Sequence, residues 1–299
     1  MVLKALRVTI DVFSGRQNPS VELTGNEARN AIERLHPAHR IERGEKALPT
    51  VSTLGYRGLV IEQVGERVKA LPTLFRYAHG EVFGPDLAHH AKDEAFEDFI
   101  LESTRIKELK KPQVGVIKKE IDRFRDLRQK WEVGKIKWPP WKPSCKCAPI
   151  YEPTWWNTPA IQPHNNCYNY STNYRSDTYA QPGLAAGAMY TAITCAAVRA
   201  AAIKDELIDT PTAGNTCPAQ GHRVALVIWP DPNNPNDGVD FHWYRKGSNK
   251  YWSHKPGGGQ ATNLDNSGAI IPNPATADRG PYTEFCGYMV VKHGHIKIQ

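Results

Sequence analysis

At 299 residues, 40% hydrophobic, 23% charged and with a mean hydropathy of −0.53, the chain is long enough for one large or two ordinary domains. No stretch approaches the roughly 20 apolar residues of a membrane span, and the composition excludes collagen, coiled-coil and wholly disordered classes. The net charge of +7 is spread thinly, and its densest part, 105–137, has Glu108, Glu120, Asp122, Asp126 and Glu132 mixed through it, so a solvated helix face is expected and no nucleic-acid partner.

The opening Met1-Val2-Leu3-Lys4-Ala5-Leu6-Arg7 offers neither an apolar run of ~7–15 residues nor a small-residue cleavage site, so Sec export has no support and a cytoplasmic start is the default. Leu6-Arg7-Val8-Thr9-Ile10-Asp11-Val12-Phe13 alternates and is β-branched, which predicts a strand. The turn chemistry of Ser14-Gly15-Arg16-Gln17-Asn18-Pro19 makes this loop the one place in the first 140 residues where binding would be sought. Thr24 with Glu27 three residues on is a capping-box signature ahead of Ala28, Ala31, Ile32 and Leu35 at helical spacing. A second strand at Gly58-Leu59-Val60-Ile61-Glu62 and a helical stretch at 93–102 complete a small α/β or α+β module over 1–110. Residues 105–135 read as helix broken at Pro112, with Val116, Ile117, Ile121, Phe124, Leu127 and Trp131 as its apolar stripe. His36, His39, His79, His89 and His90 lack metal-ligand spacing and are expected as ordinary surface or core histidines.

The chemistry changes near residue 140. About a third of the earlier residues are charged against roughly 15% of the later ones, and all six cysteines lie after it. Pro139, Pro140, Pro143, Pro149, Pro153, Pro159 and Pro163 forbid helix and central strand, so 111–160 reads as a helical, then Pro-rich connector or strap. Beyond it, in 161–299, Asn165-Asn166 gives a helix start directly before Cys167. A thiol at a helix N-terminus is expected to ionise more readily, which makes Cys167 the candidate nucleophile; the alternatives are a disulfide or a buried core thiol. Residues 184–203, rich in alanine with one charge, read as a buried helix, with Cys195 a core thiol. Val224-Ala225-Leu226-Val227-Ile228-Trp229 is a buried strand, and 239–245 followed by a turn at Gly247-Ser248-Asn249 and a run from Lys250 is a hairpin. Asp240, His242 and Tyr244 share one face of the alternating strand, and Phe241, Trp243 and Arg245 the other. His254 in the partner strand falls 12 residues after His242.

A cysteine opening a helix, a buried helix, an apolar strand, then a strand with His and a further strand with a polar residue, resembles the papain-like cysteine hydrolases over roughly 160–290. Asn166-Cys167-Tyr168-Asn169-Tyr170 is similar to the opening of CHAP-type domains, and His242 with His254 to the NlpC-type group. The resemblance implies an α+β fold with a helix-borne Cys packed on an antiparallel sheet, and hydrolysis or transfer at an amide bond of a peptide or peptidoglycan-like substrate. In it Cys167 is nucleophile, His242 base and His254 orienter, and Gln162 or Asn166 assists the Cys167 amide in holding the oxyanion; His222, heading an apolar strand, is a rival base. The other readings are a non-catalytic binding or structural protein on this scaffold, or a secreted toxin or effector.

The cysteines admit two further patterns. Cys145, Cys147, His164 and Cys167 offer four zinc-type donors at an uncommon spacing, and no metal or cofactor is expected. Instead, a disulfide from Cys145 or Cys147 to Cys217 or Cys286 is expected to fasten the strap, which fits an oxidising site reached by non-Sec export.

Overall fold

In the computed structural model of the chain, residues 5–40, 53–102 without Glu66, His79, 84–87, Lys92 and Glu94, 111–128 and 145–299 are described. The chain divides into two compact units. One comprises Met1–Val12, Asn18–Val51 and Tyr56–Trp131; the other Phe13–Gln17, Ser52–Gly55 and Glu132–Gln299. The helical half of the expected connector is thus counted with the first unit and the Pro-rich half with the second.

The first unit contains β1 (Ala5–Ile10), β2 (Ser20–Thr24), α1 (Gly25–Leu35), β3 (Pro37–Arg40), β4 (Leu59–Gln63), β5 (Leu74–Ala78), β6 (Glu81–Phe83), β7 (Ala88–Ala91), α2 (Phe96–Leu101) and α3 (Lys111–Arg128). Its strands pair antiparallel throughout in the order β2-β1-β4-β5-β6-β7-β3, so the module is α+β and not α/β. Alternation works as expected in β1, where Leu6, Val8 and Ile10 are buried while Arg7 reaches Glu22 and Glu62 across the exposed face. The capping box does not form. Thr24 makes no side-chain cap hydrogen bond, because it still belongs to β2 and Gly25, at φ +59°, turns the chain into the helix. Pro112 lies in the first turn of α3, where a missing N–H costs nothing, and Ile117 and Ile121 are buried. Residues 105–110 and 129–135, with Trp131, and the side chains of Phe124 and Leu127 lie outside the described residues. His36 is exposed and His89 is buried against the Leu35 carbonyl; His79 and the side chains of His39 and His90 lie outside the described residues.

Just after β1, Asp11 is buried and accepts from Arg57 at 2.6 Å, Arg76 at 2.7 Å and Asn18 at 3.1 Å. Burial opposes its ionisation, but the two guanidinium groups outweigh burial and hold the carboxyl at about 2. A carboxyl depressed in the folded state stabilises above its unfolded value and loses that contribution as pH falls through the folded one. The first unit is therefore expected to lose on the order of 2 kcal/mol between about pH 4 and pH 2, a slope that equilibrium denaturation at stepped pH would read and that Asp11→Asn should remove.

The second unit contains α4 (Pro153–Trp156), α5 (Cys167–Thr172), α6 (Cys195–Lys204), β8 (Ile208–Asp209), β9 (His222–Trp229), β10 (Asp240–Lys246), β11 (Trp252–His254) and β12 (Glu284–Val291). Its antiparallel sheet runs β11-β10-β9-β12-β8. Every residue of β9 and β10 is buried, as expected of central strands. Val224, Leu226, Ile228, Phe241, Trp243 and Met289 form one core with Tyr168 of α5 and Val198 and Ala202 of α6.

Two expectations fail here. The buried helix over 184–203 exists only from Cys195, where Thr194 caps the amide of Ala197; before it the chain turns, with Gly183 at φ +77° and Gly187 at φ +67°, and leaves Leu184 and Met189 exposed. The alanines have too little surface to hold that stretch against the sheet as a helix. The strand β12 was not expected, because a bulge between Phe285 and Gly287 breaks the alternation that would have announced it.

Candidate functional site

Asn166 opens α5 through a complete capping box: its side chain accepts from the amides of Tyr168 and Asn169, and Asn169 accepts from the Asn166 amide. Cys167 is therefore the first helical residue. α5 lies on the face of β10 that carries Phe241, Trp243 and Arg245, with the rings of Tyr168 and Trp243 5.5 Å apart and Arg245 donating to the Tyr170 carbonyl at 3.2 Å. The thiol is buried and raised in pKa, opposite to the direction expected from the helix start. Burial is the main cause and the charge of Asp240 adds to it, while the Trp243 amide and the Lys255 charge pull the other way. A six-residue helix gives too weak a dipole to reverse the burial.

The two histidines meet as expected. Tyr244 of β10 pairs with His254 of β11, which sets His242 diagonally across from His254 on one face, and the rings stand 5.0 Å apart at 87°. His242 Nε2 and His254 Nδ1 are 2.9 Å apart, and His254 Nε2 is 2.9 Å from the Leu264 carbonyl. A carbonyl only accepts, so His254 carries its proton on Nε2, its Nδ1 accepts from His242 Nε2, and the lone pair of neutral His242 lies on Nδ1. The Tyr244 ring meets His242 edge-on at 4.8 Å and lies tilted against His254 at 4.9 Å.

The other expected participants are committed elsewhere. Asn166 donates through Nδ2 to the carbonyls of Gly15 and Ala180, and Gln162 donates to Gly258, so neither amide is poised to hold an oxyanion. His222 is buried with Nε2 2.6 Å from the Ser171 carbonyl on the last turn of α5, and burial pushes its pKa down to about 3. The carbonyl it meets is at the opposite end of α5 from Cys167. The zinc set does not assemble, since Cys145 is joined to Cys217. Cys195, expected as a core thiol, is joined to Cys286, whereas Cys147 is a free exposed thiol. Among the described residues one donor cluster, Cys195, Glu284 and Cys286, could hold a metal, but its sulfurs are paired and a single carboxylate is left. No helix among them is long and apolar enough to cross a membrane.

Sequence reasoning missed Asp240 and Lys255. Asp240 is buried and accepts from the amides of Ser14, Gly15 and Arg16 at 2.5 to 3.2 Å and from the Tyr282 hydroxyl at 2.6 Å. The Phe13–Gln17 segment is thus clamped inside the second unit, with the Gly15 carbonyl also held by Asn166 and Gln181. Only glycine fits there: a Cβ would lie 2.4 Å from the Phe241 ring. Lys255 is buried and donates to the carbonyls of Gln162, Asn165 and Gly257, tying down the segment that leads into Cys167. The turn chemistry of 14–19 was the available signal for the first, and the adjacency of Lys255 to His254 for the second.

Fold and site together define a disulfide-stapled α+β protein with a buried thiol at the start of a short helix and a buried histidine pair on the other face of β10. No family model and no solved structure matches the chain. It is 44% identical over 147 residues to Insoluble matrix shell protein 1 of Ruditapes philippinarum, an alignment covering 91% of that protein and 48% of this chain. The chain belongs to the family of that protein.

Proposed function

We propose that this chain is a non-catalytic structural or binding component of an extracellular matrix, in which Cys167 on one face of β10 and the His242–His254 pair on the other serve the core. The observation that carries the reading is the burial of all three residues, with the thiol raised in pKa on the α5 side of β10. The relative's name as an insoluble matrix protein supports it, as do two disulfides, which persist in oxidising compartments. The test is alkylation with iodoacetamide, read residue by residue by mass spectrometry, beside a cleavage assay on casein and on peptidoglycan. Cys147 should label readily and Cys167 only on unfolding, with no cleavage. Cleavage that is lost in Cys167→Ala overturns the reading.

The His242–His254 hydrogen bond favours a second reading, a thiol hydrolase or transferase at amide bonds of peptide or peptidoglycan-like substrates, latent in this state. There α5 would first have to shift so that Cys167 reaches the His242 face of β10; the Cys167 proton would then pass to His242 Nδ1, the thiolate would attack the carbonyl carbon, His242 would return the proton to the leaving amine, and water would release the acyl group. His254 would hold the imidazole throughout.

A further inference from the structure

A cavity of about 350 Å³ lies at the opposite end of α5 from Cys167, lined by Ile150, Glu152, Trp155, Trp156, Asn173 and Arg245 among others. That size is at the lower end of the ~300–1,000 Å³ of small-molecule sites. Its walls are built rather than incidental. Trp156 is buried and meets Tyr170 edge-on at 5.3 Å, and Trp155 stands edge-on to Trp156 at 4.9 Å yet is 46% exposed. An indole fixed by a buried neighbour and left open to solvent is an aromatic platform held at little conformational cost.

Arg245 supplies the polar part. It is 1% exposed, with its guanidinium 4.0 Å from the Tyr170 ring; Nη1 donates to the Tyr170 carbonyl and to Asn173 Oδ1, Nη2 to the Ile150 carbonyl, and Nε has no hydrogen-bond partner among the described residues. That Nε is itself closed to solvent, so Arg245 contributes its charge to the wall of the cavity and not a free donor. The exposed carboxylate of Glu152 contributes an acceptor to the same cavity. Simple ions fit poorly: an anion meets Glu152 and two indoles, and a cation meets Arg245. A purely apolar ligand would take water from the Glu152 carboxylate without replacing it. A ring with an apolar C–H face and several hydroxyl or acetamido groups answers all of the walls at once.

We propose that this cavity binds one ring of a neutral or N-acetylated glycan chain, stacked on Trp155 and hydrogen-bonded by Glu152. The site stands apart from Cys167 and holds under either reading of the thiol. It is tested on the full chain by titrating chitotetraose, cellotetraose, an alginate tetra-uronate and a tyrosine-containing tetrapeptide, followed by tryptophan fluorescence and calorimetry. Saturable binding of chitotetraose or cellotetraose is expected with Kd between roughly 10 μM and 1 mM, weakened about tenfold or more in Trp155→Ala and several-fold in Glu152→Gln, with far-UV circular dichroism unchanged. No binding of either neutral sugar at several millimolar overturns the proposal. So does undiminished binding in Trp155→Ala, and so does a preference for the uronate or the peptide.

Discussion

Asp240→Ala is expected to destabilise the second unit by on the order of 3 kcal/mol and to open the segment Phe13–Gln17. The substitution removes one carboxylate that accepts from three consecutive main-chain amides and a tyrosine hydroxyl, all in buried surroundings. Each amide left without an acceptor costs about 1–3 kcal/mol, but the burial of Asp240 is itself unfavourable, so the loss is well below the sum. That burial raises the Asp240 pKa, even though the Tyr282 hydroxyl and the Ser14 and Gly15 amides favour the charged form. A carboxyl raised in the folded state keeps its proton to higher pH than in the unfolded chain, so the advantage of the natural protein over Asp240→Asn should shrink as pH rises through the folded value. Gly15→Ala reaches the same segment by another route, because its methyl would collide with the Phe241 ring. Denaturant titration reads the stability, and the iodoacetamide rate at Cys167 reads the opening. Both variants should label Cys167 faster than the natural protein. Faster unfolding with unchanged native labelling in both would show that the segment holds the unit together without covering the thiol.

Loss of either disulfide should cost about as much or more. Cys145–Cys217 closes a separation of 72 residues and Cys195–Cys286 one of 91. Chain-entropy accounting gives about 4–5 kcal/mol for loops of this length, and native disulfides in small secreted domains measure about 2–5. The first ties the Pro-rich segment to the loop before β9. The second ties the start of α6 to β12, where Arg199 also donates to the Cys286 and Tyr288 carbonyls and so retains part of the contact. Replacing each pair by serine and measuring chemical denaturation should give losses of similar size, because the ends of Cys145–Cys217 are likewise held by other bonds: the Ser248 amide donates to the Pro149 carbonyl, His293 lies 2.8 Å from the Cys147 carbonyl, and Arg223 donates to the Thr216 carbonyl. Intact mass with and without reductant checks the pairing itself. Full stability under reductant would contradict this account.

Much of the second unit was legible because its signals are local. The Asn166 cap acts over three residues, the apolar run of β9 and the alternation of β10 are properties of consecutive residues, and the hairpin turn puts His242 and His254 within reach whatever surrounds them. The Cys145–Cys217 tie was among the expected pairings because a Pro-rich strap loses much entropy when ordered. What the tertiary structure alone decided are relations between distant residues. Asp240 takes its main-chain partners 224 to 226 residues away, which no periodicity encodes. The side of β10 on which α5 rests set the surroundings of Cys167, and burial there overrode the helix start that the sequence offered as a cause of acidity. The amides of Gln162 and Asn166 were fixed by the carbonyls that happened to lie beside them, and the alanine-rich run before Cys195 was denied its helix by two glycine turns and by the little surface it could bury. Sequence thus determined which segments could form regular elements, since that depends on neighbours in the chain. The protonation and accessibility of the site followed from packing, since desolvation depends on what is near in space.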